Sequence, residues 1–111
     1  MTHTMKLSDV PFAMIADGRK TIESRLFDDK RQKVQLGDEL IFSHLDDSSR
    51  TVHTKVVGLL RYANFSDMFS YNDPRKFGGR SADELTEQIL AYYSVEDQEK
   101  YGVLGIEIER I

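Results

Sequence analysis

The chain has 111 residues, of which 40% are apolar and 31% charged, and its formal net charge is -4. These values are typical of one globular domain spanning residues 1–111. The acidic total excludes a protein that coats duplex nucleic acid with its whole surface, because such binding needs many Lys and Arg contacts to phosphate, so a polyanionic partner must meet a local patch.

Cysteine is absent, which excludes disulfides, thiolate catalysis and Cys-based metal sites and favours a reducing compartment. No run approaches the roughly 18 to 20 apolar residues that span a bilayer, and the polar start lacks the apolar region of a signal peptide. We therefore expect a soluble, cytoplasmic protein that does not interact with membranes.

The first predicted elements are a short helix and a strand. The helix ends at Gly18, since glycine readily adopts the left-handed conformation that stops helices. The next segment, 21–26, alternates as a strand does, which places Glu23 and Arg25 on one face.

The middle of the chain predicts a hairpin. A polar segment, 27–36, indicates an exposed loop before strands at 39–44 and 51–62. Gly58 lies within the longer strand and indicates a bulge or bend.

The last part predicts three more short helices and a closing strand over 103–111. Asn64, Ser81 and Ser94 are the expected N-terminal caps, because their side chains can accept from free backbone amides. A turn-rich loop, 71–79, separates the first two of these helices. Four or five strands with three or four short helices indicate an α+β domain built on a small curved sheet or barrel.

Four residues at the first helix-to-strand junction carry most of the chemistry: Gly18, Lys20, Glu23 and Arg25. Glu23 and Arg25 can hold each other's charge while the guanidinium faces phosphate, carboxylate or a base edge. Lys20 can neutralise a phosphate or, when desolvated, act as a base or nucleophile. The alternative is an ordinary exposed ion pair with a surface lysine.

The same four residues match the G-x-K-x-x-E-x-R signature of the ASCH family (activating signal cointegrator homology), whose fold resembles the PUA RNA-binding domain. The resemblance extends from about Met5 to the closing strand. It implies a PUA-like β-barrel of about five strands flanked by three or four short helices, with the motif on the floor of a cleft. It also implies binding of RNA or a nucleotide in that cleft.

The family resemblance leaves an enzyme as the alternative. Some members look like hydrolases, including an amidohydrolase that removes the acetyl group from N4-acetylcytidine and a member with ribonuclease activity. The amidohydrolase uses a Lys, a Thr and a Glu, which align with Lys20, with Glu23 and with a position near Gly78 or Gly79. A hydrolase here would use Lys20 as nucleophile or base and Glu23 as proton shuttle. A third alternative is an interaction protein without a ligand.

Further cations are candidate ligand contacts. Residues 19–33 carry six positive and three negative side chains, and this patch includes Lys30 and Arg31. Arg75 and Lys76 lie in the loop 71–79 among aromatic residues, a composition suited to stacking a base and holding its phosphate. The alternatives are a solvated basic loop and aromatic side chains that belong to the core.

The three histidines are scattered, so we expect no metal site, and the sequence indicates no cofactor. His44 and His53 lie in the two strands of the predicted hairpin. If they face each other, they could act as the acid and base of a ribonuclease. The alternative is two solvated histidines near the hairpin loop.

Overall fold

The computed structural model describes residues 1–111 and shows a five-stranded curled sheet, a half-barrel, with four α-helices and two short 3₁₀ helices. The strands are β1 Thr2–Leu7, β2 Ile22–Leu26, β3 Glu39–His44, β4 Thr51–Tyr62 and β5 Val103–Arg110. The α-helices are α1 Asp9–Ala16, α2 Phe65–Ser70, α3 Ala82–Ile89 and α4 Val95–Tyr101, and the 3₁₀ helices are Arg31–Lys33 and Pro74–Phe77. The predicted α+β fold class is confirmed.

The strand order is β1-β3-β4-β5-β2, so β1 and β2 are the two edges of the sheet. β1 pairs in parallel with β3, whereas the other three pairs are antiparallel. The sequence did not predict β1. Only Met5 and Leu7 are buried in it, and an edge strand needs no longer apolar run because one of its faces lies in solvent.

Two apolar clusters pack on the two faces of the sheet. Leu104 and Ile106 of β5 belong to the first cluster with Phe12 and Ile15 of α1, whereas Val103 belongs to the second with side chains from α2 and α3. Because successive strand residues point to opposite faces, α1 covers one face and α2 and α3 cover the other. We call the α1 side the inner face.

Local sequence signals match the structure closely. The side chains of Asn64, Ser81 and Ser94 each accept a hydrogen bond from a backbone amide of the helix they begin. The pairing of β4 with β5 shifts between Val56 and Gly58, which is the predicted bulge. The predicted caps and the bulge are therefore confirmed.

The predicted exposed loop 27–36 is only partly exposed. Val34 is buried in the inner cluster, and a 3₁₀ turn forms just before it. Phe27 at the start of the loop also packs against this cluster. The two apolar side chains fix the loop against the core, because burial of a valine side chain alone stabilises by about 1.5 kcal/mol or more. None of the helices has the length and apolar character needed to cross a membrane.

Candidate functional site

The end of α1 folds back on itself and positions the motif. Gly18 has a φ of +85°, a left-handed conformation in which glycine is favoured over residues with a side chain. After this reversal the amide of Lys20 donates to the carbonyl of Met14 at 3.0 Å, so Lys20 lies beside the last turn of α1. β2 then begins at Ile22 and carries Glu23.

Glu23 is the centre of a charged cluster, which we call the triad of Lys20, Glu23 and Arg25. Lys20 Nζ lies 3.0 Å from Glu23 Oε1, and Arg25 Nη2 lies 3.2 Å from Glu23 Oε2. The amide of Ser24 also donates to Glu23 Oε1 at 3.0 Å. Only 4% of the Glu23 side chain is exposed, with 11% for Lys20 and 16% for Arg25, so the interpretation as an ordinary exposed ion pair is wrong.

The triad lies at the seam where the edge strands approach each other. Arg25 of β2 is paired with Leu104 of β5, which places its side chain on the inner face. Its Nη2 also donates to the carbonyl of Lys6 in β1 at 3.3 Å. The curl of the sheet therefore completes the site, since one partner comes from each edge.

The charges of the triad stabilise one another. Burial acts to raise the pKa of Glu23, but the positive charges of Lys20 and Arg25 and the Ser24 amide outweigh it and hold this pKa below its usual value. Burial acts to lower the pKa of Arg25, yet Glu23 and the Tyr93 hydroxyl raise it overall. A carboxylate therefore lies between two cationic side chains, and the cluster has a surplus of one positive charge.

Two further neighbours of Arg25 could not be predicted from residue types. The Lys6 contact is made by a backbone carbonyl, which residue type does not encode. The ring of Tyr93 stacks on Phe65 with centroids 5.5 Å apart. Its hydroxyl helps to raise the pKa of Arg25, an effect that depends on the tertiary arrangement.

The loop 71–79 packs directly against the motif. The amide of Thr21 donates to the carbonyl of Lys76 at 2.8 Å, and Gly78 lies against the stem of Lys20. A Cβ on Gly78 would meet Lys20 Cδ at 3.4 Å. This is a position that the resemblance assigns to the catalytic Glu of the amidohydrolase, and here it has no carboxylate.

The other predicted ligand contacts have mixed surroundings. Lys30 and Lys76 are exposed. The guanidinium of Arg31 pairs with Asp28 at 3.3 Å, and that of Arg75 pairs with Asp73 at 2.9 Å. No hydrogen bond or ion pair joins their side chains to the triad. Of these four residues, Lys76 alone contacts the motif, and it does so through its backbone carbonyl.

The aromatic residues of the loop 71–79 are divided between core and surface. Phe77 is buried and meets Phe69 edge-on, with ring centroids 5.0 Å apart. Tyr71 is 75% exposed and stacks on Tyr62 at a centroid distance of 6.1 Å. Only Tyr71 therefore presents an aromatic surface to solvent.

The two histidines of the hairpin do not face each other, and the alternative of two solvated histidines holds for His53 but is wrong for His44. His53 of β4 is opposite Ile41, which lies on the face of β3 away from His44. His44 is buried, with Nε2 at 3.1 Å from Asp9 Oδ1 and Nδ1 accepting from the Asp46 amide at 3.1 Å. No group of three or more His, Cys, Asp and Glu side chains is arranged to hold a metal ion.

A cavity of about 270 Å³ opens beside the triad. Lys20, Gly18 and Thr21 line one side of it, and Ile108, Glu109 and Arg110 of β5 line another. A wider hollow of about 640 Å³ lies at the ends of β3, β4 and β5 and contains no motif residue. Of these two cavities, the smaller one gives access to Lys20.

Comparisons with known proteins identify the family and the fold of the chain. The family model "ASCH domain" matches residues 5–111. A crystal structure described as hypothetical protein PH0355 superposes with a TM-score of 0.89 at 33% identity, covering 100% of both chains. The solution structure of PF0455 from Pyrococcus furiosus has a TM-score of 0.76 at 28% identity and covers 100% of this chain and 98% of that chain.

A more distant structure shows the same fold. The ASCH domain from Lactobacillus crispatus has a TM-score of 0.64 at 14% identity, covering 98% of this chain and 79% of that chain. Among curated proteins, none matches the chain in sequence.

Proposed function

Because the chain belongs to the ASCH domain family, which is linked to RNA binding, we propose that it binds RNA or a nucleotide through the triad of Lys20, Glu23 and Arg25. The observation that carries the proposal is the burial of three charged side chains in one hydrogen-bonded cluster. Removing charges from water costs several kcal/mol per ion, so such a cluster adds little to stability compared with well-packed apolar residues. A role in ligand recognition accounts for its presence.

The surplus positive charge of the triad favours an anionic or electron-rich ligand atom. Lys20 has three ammonium hydrogens and directs one of them at Glu23. The others remain free to donate to a phosphate oxygen or a base carbonyl. Its low exposure strengthens that attraction, since water screens a partly buried charge less. Glu23 orients both cations and can accept from a base amine.

The remaining candidate contacts extend this proposal to the surroundings of the site. We assign Lys30, Arg31, Arg75 and Lys76 to the positive field around the bound ligand, with the larger share from Lys30 and Lys76 because Asp28 and Asp73 offset the charges of Arg31 and Arg75. Gly18 allows the chain to reverse. Long-range attraction of this kind raises association rates and weakens with salt.

The test is a panel of nucleosides, nucleotides and short single-stranded RNAs, measured for binding and for turnover. We expect Lys20→Ala to weaken binding by about tenfold or more, because a charge-assisted hydrogen bond contributes about 1.5 to 3 kcal/mol. Lys100→Ala is the matched control, since Lys100 is an exposed lysine on α4. Equal binding by the two variants would show that the proposed site is wrong.

The same panel separates binding from catalysis. Glu23→Gln keeps the shape of the side chain but removes its charge, so its effect on binding measures how far the carboxylate orients Lys20 and Arg25. Turnover of N4-acetylcytidine or cleavage of RNA by the wild type, lost in Glu23→Gln, would instead identify a hydrolase.

A further inference from the structure

Arg110 at the end of β5 lies directly over the glycine of the motif. Its Nη1 donates to the carbonyl of Ala16 at 2.6 Å, at the end of α1. Its Nη2 would lie 3.2 Å from a Cβ on Gly18. The absence of a side chain at Gly18 therefore makes room for this guanidinium.

Arg110 makes no direct ion pair with a carboxylate, although its charge helps to lower the pKa of Asp17. Asp17, which directly follows α1, pairs with Arg19 at 2.7 Å. The hydrogen bond that holds Arg110 is to the neutral carbonyl of Ala16. A guanidinium without a direct ion pair is thus held in a defined place by a backbone contact.

Arg110 and Lys20 line the same cavity of about 270 Å³, together with the acidic residue Glu109 and an apolar part that comes from Ile15 and Ile108. Ligand pockets usually measure about 300 to 1,000 Å³, so this cavity suits a phosphate with part of one nucleotide rather than a folded RNA. A guanidinium fork together with an ammonium is a common donor set for phosphate oxygens.

We infer that Arg110 and Lys20 form a phosphate subsite, and that the lack of a side chain at Gly18 lets the Arg110 guanidinium approach the end of α1. This inference rests on the proposed function and deepens it, since it names the phosphate group as the part of the ligand held in this cavity. The phosphate is that of a free nucleotide or of an RNA backbone, and the two sources are separated by the ligands tested below.

The experiment compares a nucleoside, its 5′-monophosphate and a short single-stranded RNA of the same base by titration calorimetry. The wild type should bind the monophosphate at least about tenfold more tightly than the nucleoside, as expected for charge-assisted hydrogen bonds. Arg110→Gln should remove most of that preference, so that the monophosphate and the nucleoside bind this variant with similar affinities. Lys100→Gln, which removes one exposed positive charge on α4, should keep the preference. A gain for RNA but not for the monophosphate would assign the subsite to the backbone.

A pair of glycine variants tests the same inference without touching Arg110. Gly18 and Gly37 have φ values of +85° and +88°, so an alanine strains the backbone about equally at both. A Cβ at Gly37 meets nothing within 4 Å, whereas at Gly18 it meets Arg110. Gly18→Ala should therefore reduce the phosphate preference, and Gly37→Ala should not. Identical preferences in these two variants would overturn the role given to Gly18.

The outcomes distinguish the two proposals. If the wild type bound none of the ligands, the proposed function and the phosphate subsite would both be wrong. If it bound them with a phosphate preference that persists in Arg110→Gln, only the subsite would be wrong.

Discussion

The guanidinium of Arg25 donates a hydrogen bond to the backbone carbonyl of Lys6 at 3.3 Å, and this contact joins the two edge strands of the sheet. The same Nη2 contacts Glu23 at 3.2 Å. Formation of the candidate site is therefore coupled to the curling of the sheet. A change at Arg25 should affect both stability and binding.

Arg25→Ala should lower the free energy of unfolding by about 3 kcal/mol, because it breaks a buried ion pair and the link to β1. Lys6→Ala is the matched control, since the contact uses the carbonyl of Lys6 and its side chain is exposed. Urea denaturation of both variants measures the difference. A loss of similar size in both would show that the seam contact does not stabilise the fold.

Ionised Glu23 should stabilise the protein at neutral pH, and this contribution should be lost at acidic pH. Its folded-state pKa lies below the usual value, so the stabilisation by its ionised form is complete above the unfolded-state pKa of about 4.3 and is lost as pH falls through the folded value. The stability gap between wild type and Glu23→Gln should shrink between pH 7 and pH 3. Urea midpoints at several pH values test this, and a constant gap would contradict it.

Gly78→Ala should destabilise the protein by about 2 kcal/mol and weaken ligand binding. Gly78 has a φ of +85°, and an added Cβ would lie 2.8 Å from Met14 Sδ and 3.4 Å from Lys20 Cδ. Gly37→Ala, with a similar φ and no neighbour, should show the backbone cost alone. Thermal unfolding and nucleotide titration measure the two effects. Equal stability and equal nucleotide affinity of the two variants would mean that the position of the Lys20 side chain does not depend on its packing against Gly78.

Alanine variants of the two hairpin histidines should differ sharply in their free energy of unfolding, and both should bind ligand as the wild type does. His44→Ala removes a buried imidazole together with its partly buried hydrogen bonds to the Asp9 carboxylate and the Asp46 amide, and should cost about 2 kcal/mol. His53→Ala changes an exposed side chain and should stay within about 0.5 kcal/mol. The rate at which RNA is cleaved should be the same with either variant as with the wild type. Loss of an RNA-cleaving activity in both variants would restore the paired-histidine hypothesis.

Much of the secondary structure could be predicted because its signals are local. Ser81 lies three residues before Glu84, and its hydroxyl accepts a hydrogen bond from the Glu84 backbone amide. Gly58 lies inside an otherwise regular strand. Such signals depend on neighbours that are fixed by the covalent chain. β1 was missed because its stability comes from its pairing with β3 and not from its own residues.

The motif was recognisable from four residues within one short segment, since the helix stop at Gly18 and the alternation through Arg25 are local. The burial of Glu23 could not be predicted in this way, because it depends on the packing of the whole inner face. The Lys6 carbonyl reaches Arg25 across 19 residues, and Arg110 reaches Ala16 across 94. The chain sequence thus supplied the charged groups and their spacing, whereas the tertiary structure decided their burial and their partners, because contacts between residues distant along the chain form only when the sheet curls.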